Sequence, residues 1–191
     1  MKNTTMRLLL LMLVIASLSL VAHGQNEKKD PKGYSVVAMS TGGARPGSAI
    51  LFSFTIDEYT TEEEITKFSG LLMEKGPAAL NKALEEENKG TLTPGGGSAV
   101  EIAVARKRQE GPNTFITLVT ARPLPFAELY GGGRFADYPF GFVQVKLDAK
   151  GKGTGQIMAA ASLRFDKINN RLEIESYGNQ NIQTLSIRPQ K

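Results

Sequence analysis

The chain has 191 residues, 23 Lys+Arg against 19 Asp+Glu for a formal net charge of +4, 41% hydrophobic residues, one histidine and no cysteine. This is enough apolar material for a real core, and the lack of cysteine removes disulfides, thiol nucleophiles and cysteine-held metal centres from consideration. The single histidine, His23, lies in a segment expected to be cleaved off, which would also remove serine–histidine triads, histidine acid–base chemistry and histidine metal ligands.

Lys2 and Arg7 precede an apolar run from Leu8 to Ala22, and Ala22-His23-Gly24 places small residues at the last and third-last positions of a cleavage site. Residues 1–24 therefore read as a secretory signal peptide, with Gln25 as the new terminus. As an anchor the run falls short of the ~20 residues a spanning helix needs, and Ser17 and Ser19 weaken its end. No cysteine follows it, so no lipoprotein anchor is expected, and no later segment has the length and apolarity to span a membrane. Removing residues 1–24 from the 191 leaves 167, the size of one domain. Lys2 and Arg7 leave with the leader, so 21 basic residues face 19 acidic ones and the high pI says little about partners. A secreted or periplasmic protein without disulfides is expected, with a flexible lead-in over 25–33 and one domain over 34–191.

Within that domain, "YSVVAMS" and "SAILFSFTI" are β-rich runs separated by the Gly/Pro turn "TGGARPG", which predicts a hairpin. The period then changes. Ile65, Phe68 and Leu71/Leu72 recur at helical steps, Thr61 with Glu64 forms a capping-box pattern, and Glu62, Glu63 and Glu64 favour a helix N-terminus. Gly76-Pro77 ends this helix and begins a second, with Leu80 and Leu84 on one side and Gly90 as its stop. From there the chain reads as strands and turns. "SAVEIAVARKR" carries Val100, Ile102 and Val104 on one face; "TFITLVTARP" follows a "GPN" turn; "GFVQVKLD" alternates Val143, Val145 and Leu147 against Gln144, Lys146 and Asp148; then come "GQIMAAASLRFD", "RLEIESY" and "IQTLSIR". The expected fold is α+β: an antiparallel β-meander of about 7–8 strands, open or strongly curled, with two helices from residues 60–89 packed on one face.

Four stretches could carry chemistry. "AKGKGTGQ" lacks the Ser or Thr after its lysine and the following helix that a phosphate loop needs, so it reads as a hairpin turn with solvated lysines. "ARKRQ" reads as a solvated strand edge, and with a near-neutral mature chain no nucleic-acid partner is expected. Glu173 and Glu175 share one strand face about 7 Å apart, a spacing suited to a glycosidase pair or a cation, yet also what a polar outer face provides. The fourth, "FAELYGGGRFADYPFGF" from Phe126 to Phe142, gathers Glu128, Tyr130, Arg134, Asp137 and Tyr138 around three glycines that let a ligand approach the backbone. It also fits a turn with an aromatic collar, but loops on a rigid sheet commonly carry function, so these five are the candidate ligand-binding residues.

No catalytic residue, metal ligand or cofactor is assigned. The expected function is an exported, non-catalytic binding or interaction domain for a small molecule, a lipid or a cell-envelope protein. Two alternatives stand beside it: a secreted hydrolase using carboxylates or a Ser/Lys pair, although no Ser-x-x-Lys occurs, and a structural surface domain pairing through a sheet edge. A carboxylate-lined cavity would favour the enzyme, an apolar cavity ligand carriage, and a flat open edge assembly.

Overall fold

The computed structural model describes residues 32–40, 47–95, 97–125, 137–166, 169, 171–177 and 182–190. In chain order the elements are β1 (Gly33–Ser40), β2 (Ala49–Ile56), α1 (Glu62–Lys75), α2 (Pro77–Leu84), β3 (Gly90–Pro94), β4 (Val100–Glu101), β5 (Val104–Glu110), β6 (Asn113–Thr120), β7 (Phe140–Leu147), β8 (Gly153–Asp166), β9 (Arg171–Ser176) and β10 (Ile182–Pro189). The protein is α+β, with an antiparallel sheet and two helices, in agreement with the sequence expectation.

Local chemistry explains the helices. The Thr61 hydroxyl accepts from the Glu64 N–H at 3.2 Å while the Glu64 carboxylate accepts from the Thr61 N–H at 2.8 Å, a complete capping box for α1. Gly76, at φ 81°, takes a backbone angle that side-chain-bearing residues resist and ends α1, and Pro77 starts α2 with φ already set. The second helix stops at Leu84, short of the predicted Gly90. Glu85, Glu86 and Glu87 follow at once, and three carboxylates oppose the negative end of a helix dipole.

The strands run β4-β3-β2-β1-β10-β8-β7-β6-β5, with β9 paired to β8 off this path. The two ends of that order are consecutive pieces of one segment. The Ile102 N–H donates to Gly90 O and its carbonyl accepts from Lys89 N–H, while the Ala103 N–H donates to Val119 O on the opposite side. Residues 102–103 are therefore held by both ends of the sheet, which closes through them into a barrel. This closure also corrects one face assignment. Val100 and Ile102 were expected to share a face with Val104, but the alternation slips at 103–104, where consecutive residues both face outward, so Ile102 joins the barrel interior and Val104 turns to the helices.

Side chains fill the interior. Phe54, Leu92, Ile116, Leu118, Val145, Ile157 and Ile187 are buried there, and Tyr34 stacks on Phe54 with centroids 5.0 Å apart. Val143, Val145 and Leu147 face this core as the alternation predicts. Gly153 and Gly155 lie where the β8 backbone presses on β7: a Cβ on either would run into the carbonyl oxygen of Lys146 or Gln144. A second core lies outside the barrel wall, where Phe68 and Leu72 of α1 and Leu80 and Leu84 of α2 pack on Val104, Val119, Phe142 and Leu163. The Asn81 amide donates to Ala121 O at 2.6 Å and pins α2 to this wall.

Candidate ligand-binding site

Of the five residues singled out from sequence, Glu128, Tyr130 and Arg134 lie outside the described residues. Asp137 is exposed, and Tyr138 is half-buried at the point where the chain re-enters the sheet. The Tyr138 hydroxyl donates to Glu175 Oε1 at 3.1 Å, and its ring meets Tyr177 edge-on with centroids 5.2 Å apart. That hydrogen bond to a carboxylate, followed by desolvation, raises the phenol pKa above its usual value. Behind it the chain is firmly held. Phe140 is completely buried, and the Gly141 N–H donates to Thr120 Oγ1, whose own proton goes to Arg122 O.

Glu175 and Tyr177 were not read as neighbours of Tyr138, because a strand pattern shows which face a residue occupies and not what crosses over it. The pair Glu173 and Glu175 is divided between different partners: Glu173 accepts from Arg171 Nη2 at 2.9 Å and lies 3.8 Å from Arg164, whereas Glu175 takes the tyrosine.

An apolar concavity lies on the other face of β9. The first half of β8 pairs with β10 and its second half with β9, so β9 leaves the barrel wall and stands beside the helices. Between them is a cleft of about 310 Å³. Ile65, Phe68, Leu72 and Leu80 roof it, Val104, Val119, Phe142 and Leu163 form its floor, and Leu172 and Ile174 close one side. Among its described lining residues Arg106 alone is charged, joined by the hydroxyl-bearing Ser69 and Thr117. Arg106 and Thr117 are directly paired across β5 and β6, so the polar groups of the floor lie together at one end. Arg106 Nη2 also contacts both carboxylate oxygens of Glu62, at 3.2 and 3.3 Å. Each lining residue fits a helical or strand pattern as ordinary core; the pattern carries no sign of a cleft beside the packed contacts.

The roof is tied down by a buried cation. Lys89, 5% exposed, places Nζ 2.6 Å from Glu58 Oε1 and 2.7 Å from Glu64 Oε1. Those hydrogen bonds raise the Lys89 pKa above 10.5, and the bond from Lys89 holds the Glu64 carboxyl below 4.5, where the capping bond from Thr61 adds to the effect. One lysine thus links the capping residue of α1 to the segment leading into β3.

Two wider recesses, about 580 Å³ each, are more polar. One gathers Glu85, Glu87, Asn88, Glu101 and Arg122, and the other lies along Phe115, Gln144, Lys146, Thr154 and Gln156. The "AKGKGT" stretch is a β7–β8 hairpin in which Asp148 accepts from the backbone N–H groups of Lys150 and Lys152, and the basic run sits on β5, which pairs with β6. No helix among the described residues is long and apolar enough to cross a membrane. No family model, curated protein or solved structure matches the chain.

Proposed function

We propose that this protein is an exported, non-catalytic binding domain that carries a small apolar molecule or lipid in the cleft between α1, α2 and the outer wall of the barrel. The carrying observation is the cleft itself: about 310 Å³ lined by apolar side chains, at the lower end of the ~300–1,000 Å³ typical of ligand sites. Export is supported by the charged start, the short apolar run and the Ala22-His23-Gly24 cleavage pattern. A carboxylate-dependent hydrolase draws less support, since Glu173 and Glu175 are committed to arginines and to Tyr138 respectively. Of the loop residues singled out from sequence, Tyr138 meets Glu175 on the side of β9 away from the cleft.

The test is native mass spectrometry of the purified protein, paired with binding of an environment-sensitive apolar dye. Ser69, exposed on α1 and lining the cleft, is the position at which to fill it. A co-purified small molecule and dye binding that is lost in Ser69→Trp, with an unchanged melting temperature, would support carriage. No bound mass, together with equal dye binding by Ser69→Trp and wild type, would refute it.

A further inference from the structure

We infer that the occupant of the cleft is a medium-chain fatty acid whose carboxylate is received by Arg106, an assignment that rests on the ligand-carriage reading above. The distribution of polarity is what points to it. A neutral hydrocarbon site would be apolar at both ends, whereas here Arg106 and its cross-strand neighbour Thr117 put a guanidinium and a hydroxyl side by side on an otherwise apolar floor. The ligand that complements this arrangement has one anionic, hydrogen-bond-accepting end and one aliphatic end.

Arg106 is available for such an exchange. Its side chain is 47% exposed and that of its partner Glu62 is 77% exposed, a class of ion pair that contributes little to stability. Both contacts to Glu62 come from Nη2, leaving Nε and Nη1 as donors that a carboxylate can engage in the planar, two-bonded manner guanidinium groups favour. The volume sets the length of the tail. At about 310 Å³, near the lower limit of ligand sites, the cleft suits an aliphatic tail of medium length rather than a long one. The chain would then lie against Phe68, Leu72, Phe142 and Leu163, with the carboxylate at the open polar end.

Decanoate and decanol share a chain and differ at the head group, so competition of each against a bound dye separates the carboxylate from the cleft. Decanoate is expected to bind about fivefold more tightly than decanol, the upper range for a partly exposed ion pair. Arg106→Gln should weaken decanoate about fivefold and leave decanol unchanged, and Ser69→Trp should abolish both. Equal affinities in the wild type, or wild-type decanoate affinity in Arg106→Gln, would overturn the fatty-acid assignment while leaving apolar carriage standing. Failure of both compounds to compete, with dye binding indifferent to Ser69→Trp, would bring down the carriage reading itself.

Discussion

Replacing Lys89 with methionine removes the charge that anchors α1 while keeping an unbranched stem to fill the space. The two carboxylates it leaves behind differ in exposure, 63% for Glu58 and 27% for Glu64, and both can reach water. The ~3–5 kcal/mol penalty of stranding a buried charge therefore does not apply in full. The exposed contact to Glu58 should contribute under about 0.5 kcal/mol. The more enclosed, charge-assisted bond to Glu64 should contribute about 1.5 kcal/mol. Lys89→Met should thus cost about 2 kcal/mol, lowering Tm by about 6 °C for a domain of this size. Glu64→Gln isolates the charge, because glutamine still completes a capping box, and should cost more than Glu58→Gln. The Glu64 carboxyl has a folded-state pKa below 4.5, so its contribution is present above that value and is lost as the pH falls through the folded pKa. Lys89 has a folded-state pKa above 10.5, so its contribution is complete below that value and is lost as the pH rises through the folded pKa. The stability gap between wild type and Lys89→Met should be level from about pH 6 to 9 and narrow at both extremes. Urea unfolding followed by circular dichroism across pH measures it, and hydrogen exchange in the first turn of α1 shows whether the roof loosens. A gap below about 0.5 kcal/mol at pH 7, or one unchanged at pH 3, would refute the reasoning.

Phe140→Ala, at a fully buried ring, should cost about 3–5 kcal/mol in urea unfolding, and a loss under 1 kcal/mol would remove this ring from the core. In ultraviolet titration the phenol absent from Tyr138→Phe should ionise above pH 10, and Glu175→Gln should bring that ionisation down; no shift would mean that the bond between them does not persist in solution. Gly155→Val should destabilise by more than ~2 kcal/mol, because its Cβ would meet the Gln144 carbonyl, whereas Gln156→Val on the solvent side should be mild; equal melts would contradict the close approach of β8 to β7. N-terminal analysis of the product recovered outside the cytoplasm should begin at Gln25, and an intact Met1 on a membrane-bound form would overturn export.

Much of the architecture was legible because it is written in local chemistry. Thr61 with Glu64 marks the start of α1, Gly76-Pro77 the break between helices, and the alternation Val143–Val145–Leu147 the inward face of β7. The joining of the two halves of the sheet was not legible, since the pairing of β1 with β10 brings together opposite ends of the domain and leaves no mark on either strand alone. Nor was the slip at Ala103–Val104, which arises because one segment must serve β3 on one side and β6 on the other. Tyr138 was found for its aromatic, loop-edge setting, but its partners Glu175 and Tyr177 come from a different hairpin. Lys89 carries no sequence signal of its role, because burial of a lysine depends on where two distant glutamates fall.

The seam between β1 and β10, where Tyr34 faces Pro189, governs the order in which this chain can fold. As residues emerge during synthesis, β1 can join β2 at once, but its other neighbour, β10, is made after the other strands of this sheet. Until then the growing chain carries unsatisfied strand edges on β1 and β8, and long-range pairing of this kind is slow and exposed to aggregation. Removing the last ten residues would open the barrel along both edges at once, a far heavier loss than the shortening of a tail.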